Sequence, residues 1–147
     1  MYFLFLAFLH SILGTTLFYL SWVDWHTRRI PDIGLILLSL VGGGLGYLTN
    51  QSFVSHLGAA GLGFVLLFIL GSAVTTLKGK KALGFGDVKL FTVLCFFLTP
   101  VMLPSFCLWI GAFGLCTKVI SQQKEPFPFA PAISLGFIFT FWLKLYF

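Results

Sequence analysis

Apolar segments follow one another along this chain with only short polar stretches between them. They cover residues 2–23, 33–48, 56–77, 87–98, 103–120 and 129–147. A bilayer crossing takes about 20 apolar residues in a helix. A chain of 147 residues therefore holds about six crossings with short loops and no separate soluble domain. Charged residues make up 9% of the chain and hydrophobic ones 59%, against about 25% and 45–50% in water-soluble domains. That balance excludes a water-soluble enzyme, and it excludes disorder, which requires low hydrophobicity and high charge. The expected architecture is all-α: one domain over residues 1–147, a polytopic membrane bundle of about six transmembrane helices. No basic stretch precedes the long first segment, so it reads as a span and not as a cleaved signal. The glycines at 42, 43, 44 and 46, and at 58, 61 and 63, predict close helix neighbours.

The net charge of +5 is topological in origin. The first, third and fifth loops and their flanks hold Arg28, Arg29, Lys78, Lys80, Lys81, Lys89, Lys118 and Lys124, and the opposite side holds only Lys144. Basic residues accumulate in cytoplasmic loops. The N-terminus is therefore expected outside and those three loops in the cytoplasm. The bilayer is the expected partner of this charge; nucleic acid is not. Nothing in the pattern specifies an oligomeric state.

The chain has only four acidic residues. Asp24 ends the first span, Asp32 opens the second after Pro31, and Asp87 opens the fourth. A carboxylate at a helix start can cap free backbone N–H groups. That reading is open for Asp32 and for Asp87. It is weak for Asp24, where the helix dipole disfavours negative charge. The topology puts Asp24 and Asp87 on the same side of the membrane, 63 residues apart in sequence. Two carboxyls within reach of each other share a proton and titrate as a pair. One can then activate water as a base while the other, protonated, polarises a peptide carbonyl. Such aspartyl proteolysis uses no metal and no organic cofactor. Gly84 and Gly86 beside Asp87 allow tight backbone turns and leave room for an extended substrate strand. Lys89 can hold the carboxylate or snorkel to the interface, and snorkelling is favoured.

Other chemistries find no support. His10, His26 and His56 are scattered and form no metal set. HExxH and GxSxG motifs are absent. Cys95, Cys107 and Cys116 lie in apolar stretches without a CxxC pair and read as inert thiols. Ser11, Ser39 and Ser72 read as packing residues. Two readings of other classes stay open: a proton-coupled transporter or channel using the same acids, and a catalytically silent protein that only binds its partner. A transporter would place its acids at mid-membrane and carry repeats; these acids lie at span ends.

The segment Gly84-Phe85-Gly86-Asp87-Val88-Lys89-Leu90 resembles the GxGDxKL box of type IV prepilin leader peptidases, a branch of the GxGD membrane aspartyl proteases. Asp24-Trp25-His26-Thr27-Arg28-Arg29-Ile30-Pro31-Asp32 is similar to the family's first box, D-x6-P-[DN]. Pro126-Phe127-Pro128-Phe129-Ala130-Pro131 resembles a late PFxP-like loop of the same family. The resemblance covers the six-span peptidase core. It implies Asp24 and Asp87 as the catalytic pair, Gly84, Gly86 and Lys89 as residues shaping the site, and Pro31 and Asp32 as secondary candidates. It also implies a substrate: the short basic leader of a prepilin or pseudopilin, removed at the cytoplasmic face of the bacterial inner membrane. The products would serve type IV pili or type II secretion. Pro31 and the six-span length favour this branch over a signal-peptide-peptidase-like enzyme. Larger members carry two CxxC pairs in a region associated with N-methylation. This chain starts at a span and lacks them, so peptidase activity without methylation is expected. The basic residues around the site would repel a basic leader; holding anionic lipid headgroups is the role expected of them.

Overall fold

The computed structural model describes residues 2–48, 52–78, 84–121 and 128–146. Six α-helices account for nearly all of them: α1 (Tyr2–Thr27), α2 (Asp32–Leu48), α3 (Phe53–Lys78), α4 (Phe85–Cys95), α5 (Leu103–Ser121) and α6 (Ala130–Tyr146). A 3-10 turn, Pro100–Met102, precedes α5. No strand occurs among the described residues. The protein is the all-helical bundle that its hydropathy predicts. Within α1, α3 and the turn-plus-α5 stretch, Leu4–Thr27, Phe53–Ala73 and Pro100–Val119 are long and apolar enough to cross a membrane.

Helix ends follow local chemistry more than hydropathy. The first helix runs past Val23 to Thr27 and closes with the Arg28 amide on the Asp24 carbonyl, 3.0 Å. Arg28 ends it with a φ of 56°. Asp24 thus stands inside the last turn, not at its edge. The third helix starts at Phe53, earlier than expected: the Ser52 carbonyl takes the Ser55 amide at 3.0 Å, and the Phe53 ring packs edge-on against Phe96 at 5.6 Å.

The fourth apolar segment departs from a simple span. Its helix has 11 residues, about 16 Å at 1.5 Å per residue, half of a hydrocarbon core of about 30 Å. The amides of Phe96, Phe97 and Leu98 then donate to the carbonyls three residues back, at 3.2, 3.0 and 3.0 Å. Pro100 stops the helix by forcing Thr99 into extended backbone. Phe97 and Leu98 are buried, and irregular backbone at membrane depth is tolerated where protein covers it.

This short helix is the centre of the bundle. It packs on α3 and also meets α2 and α6, while α1 lies against α2 and α6, and α5 against α6. Leu90, Phe91 and Leu94 of α4 are buried with Leu17, Leu38, Phe106 and Phe137. Phe91 stacks on Phe106 at 4.9 Å, and Phe106 meets Phe137 edge-on at 6.1 Å. The outer faces remain apolar, with Phe8, Phe18, Ile33, Leu40 and Phe68 exposed, as a lipid solvent allows. Cys95 is buried, Cys107 half-buried and Cys116 exposed, all unpaired with one another.

Only some of the expected glycine contacts form. A Cβ on Gly63 would stand 2.5 Å from the Cys95 sulfur, and one on Gly42 would stand 2.9 Å from the Phe97 ring. Gly43, Gly46, Gly58 and Gly61 face open space. Among the glycines described, the closest backbone approach is at one outside those runs, Gly136 of α6. Its Cβ would meet the Ile110 backbone nitrogen at 3.0 Å.

Candidate active site

Three helix ends converge around the acids. The last turn of α1 carries Asp24, which is 5% exposed. Its Oδ2 accepts a hydrogen bond from the Ala130 amide at 3.1 Å. Ala130 is the first residue of α6, so the amide is one of the free donors at a helix start. The carboxylate that opposes the dipole of its own helix therefore sits on the positive end of another. Pro128, just before α6, is fully buried and helps fix that end. The Arg28 charge also acts on Asp24.

Asp87 lies in the first turn of α4, whose 11 residues are shorter than a full crossing. Its Oδ2 accepts from the Gly84 amide at 3.2 Å, while its own amide donates to the Gly84 carbonyl at 3.1 Å. This is the acidic half of a capping box. Burial pushes the Asp87 carboxyl up to about 7; the Asp24 charge adds to the rise and the Gly84 hydrogen bond opposes it. The two acids are therefore near enough to feel each other. Because Asp24 rests on α6 and Asp87 on its own cap, each keeps one oxygen held by backbone.

The glycines of the second box pack tightly. A Cβ on Gly84 would stand 3.0 Å from Asp87 Oδ2, and one on Gly86 would stand 3.2 Å from Ile30 Cβ. Through the second contact the first turn of α4 presses on the loop after α1. Gly84 is exposed, so Gly84→Ala is expected to preserve the fold yet displace the carboxylate. A drop of about tenfold in turnover with unchanged expression is the expected result, since small misplacements at a reacting centre are costly.

Lys89 neither holds Asp87 nor simply extends to water. Its Nζ crosses to Asp32 Oδ1 on α2 at 2.8 Å and lies over the Phe85 ring, 5.2 Å from the centroid. Asp32 occupies the first turn of α2, where its charge suits the dipole. Pro31 supplies the carbonyl that takes the Gly34 amide at 3.1 Å and so opens that helix. The structure thus groups Asp24 with Asp87, and Asp32 with Lys89. The Ala130 amide is the site element that residue-type reasoning passes over; the proline-rich stretch before it was the available signal. Lys80, Lys81, Lys124 and Pro126 lie outside the described residues. Among the described residues, no three His, Cys, Asp or Glu side chains stand together as metal ligands would.

Residues 11–141 match the model of the type IV leader peptidase family. The chain belongs to that family. It is 32% identical to a prepilin leader peptidase/N-methyltransferase of Haemophilus influenzae, over 98% of this chain and 67% of that protein. It is 31% identical to a type 4 prepilin-like proteins leader peptide-processing enzyme of Escherichia coli, over 92% of this chain and 52% of that one. A prepilin leader peptidase/N-methyltransferase of Bacillus subtilis is 34% identical, over 80% and 48%. This leader peptidase family member thus spans between about half and two thirds of the length of these relatives. No solved structure matches it. Family membership and the apolar helices together make it a bacterial inner-membrane protein.

Proposed function

We propose that this family member is a membrane aspartyl endopeptidase that removes the leader peptide of type IV prepilins or pseudopilins at the cytoplasmic face. The reading is supported by the convergence of helix ends that holds Asp24 at the foot of α1 on the Ala130 amide and Asp87 at the head of α4, where the Asp24 charge acts on it. In this reading Asp24 is the resident anion, with the Ala130 amide donating to one of its oxygens. Asp87 is the resident acid, because burial and the Asp24 charge favour its proton.

Water placed between them loses a proton to Asp24 as its oxygen attacks the scissile carbonyl. Asp87 gives its proton to the carbonyl oxygen, and a neutral tetrahedral diol forms. Collapse returns a proton to Asp87, and Asp24 passes its proton to the leaving amine. One water is consumed, one peptide bond is broken, and the pair is reset with one proton. The chemistry proceeds without a cofactor. N-methylation, which some relatives' names include, forms no part of the proposal. The N-terminus is outside in this topology, and loops one, three and five lie in the cytoplasm.

The test is cleavage of a candidate prepilin from the same cell in membranes that contain the wild-type chain. Leader removal by the wild type, absent from membranes lacking it, is expected. Failure across all prepilins of that cell, with the protein inserted at normal levels, would turn the balance to a binding or transport role.

A further inference from the structure

A second feature lies on the far side of α4. Asp87 and Lys89 are two residues apart on one helix, about 200° in rotation, so they point to opposite faces. On the Lys89 face a groove of about 610 Å³ opens sideways between α2 and α3, with α4 as its floor. The Asp32–Lys89 pair stands at its head, and both members are partly exposed. Below them the walls are Leu35, Ile36 and Leu40 of α2, Phe64 of α3 and Val93 of α4.

Two hydroxyls also line the groove, and both are already engaged. Ser39 Oγ donates to the Leu35 carbonyl at 2.9 Å, and Thr92 Oγ1 donates to the Val88 carbonyl at 2.8 Å. The interior therefore asks for an apolar occupant. From Asp32 to Leu40 the groove descends about 12 Å at 1.5 Å per residue. That is close to one leaflet, half of a core of about 30 Å. A crossing helix would need a seat through both leaflets. An acyl chain needs only this one.

The head group follows from the charges. An ion pair presents one carboxylate and one ammonium, so the complementary ligand carries both signs. The geometry points to a phosphatidylethanolamine molecule seated in this groove, its phosphate on Lys89, its ammonium on Asp32 and one acyl chain between α2 and α3. Phosphatidylglycerol offers an anion but no cation for Asp32. Phosphatidylcholine has a cation with no N–H to donate. The site is separate from the acid pair and stands whether or not the chain cleaves prepilins.

The test is native mass spectrometry of the full chain in detergent, titrated with phosphatidylethanolamine, phosphatidylglycerol and phosphatidylcholine in turn. The wild type is expected to retain one phosphatidylethanolamine at least tenfold more tightly than either other lipid. Asp32→Asn is expected to shift the preference to phosphatidylglycerol; an exposed ion pair adds little to stability, so this variant folds. Ser39→Trp fills the groove and is expected to lose the bound lipid, while Ser72→Trp, on the exposed surface of α3, keeps it. Equal retention of all three lipids would overturn the assignment. So would a preference untouched by Asp32→Asn, or displacement of the lipid by a single-span apolar peptide, which would make the groove a helix seat.

Discussion

Asp87→Asn is expected to abolish leader removal, by about 10³-fold or more, and to leave the protein inserted and folded. General acid and base groups contribute about 10²–10⁴-fold each, and this pair acts on one water and one carbonyl. Asparagine has the shape of aspartate, and its amide oxygen still accepts from the Gly84 amide, so the α4 cap survives. What it lacks is a proton that can be given up. Asp24→Asn has the same effect on activity for the opposite reason. Its oxygen still takes the Ala130 amide, but it no longer accepts a proton from water. Groups that work as a unit are not additive, so the double variant is expected to be no slower than either single one. Stability moves the other way. A buried charge is costly and asparagine is neutral at either position, so each variant is expected to unfold at the wild-type temperature or above it. Prepilin cleavage together with thermal unfolding in detergent checks both signs. Cleavage that survives either single change would mean that the acid has been misassigned.

The largest loss of stability is expected at Gly136→Val. A Cβ there would stand 2.8 Å from Ile110 Cγ1 and 3.0 Å from the Ile110 backbone nitrogen. A flexible side-chain end could yield; a helix backbone cannot. The two helices would have to part at the contact that joins α5 to α6. Overpacking costs about 1–3 kcal/mol in ordinary cores, and a branched residue against backbone belongs at the upper end. Near-neighbour damage is foreseeable too, because Phe137 and Ile133 share that helix and both are fully buried. The comparison is Gly61→Ala, where nothing lies within 4 Å. Alanine there gains about 1 kcal/mol in helix propensity and should stabilise α3. Thermal unfolding in one detergent reads both. A Gly136→Val protein as stable as wild type would mean that α5 and α6 do not meet as described.

Much of this architecture is legible before any coordinates. Hydropathy alone separates the six helices, since lipid demands apolar faces outside as well as inside. The two aspartate boxes name the acids that the bundle brings within electrostatic reach. Other features depend on tertiary contact and leave no residue-type signature. The Ala130 amide is backbone, so no side chain announces that it will hold Asp24. The partner of Lys89 is Asp32, on a helix 57 residues earlier, and only the packing of α2 on α4 reveals it. Hydropathy measures apolar length, not regular helix, so α4 looks longer than its 11 helical residues. Glycine runs mark permission for close packing and not its occurrence: Gly58 and Gly61 face open space, while the lone Gly136 has its Cβ position 3.0 Å from the Ile110 backbone nitrogen.

The central claim is that Asp24 and Asp87 work as a pair holding one proton. The pH dependence of kcat/KM for wild-type cleavage of a prepilin tests it most directly. Asp87 is the member that must carry the proton, and its carboxyl is raised to about 7. It is protonated below that pH and loses the proton above it. The expected result is that kcat/KM falls tenfold per unit on the alkaline side, from a limb near pH 7, and falls again in acid as Asp24 gains a proton. A rate that stays level from neutral pH to pH 9 would contradict it.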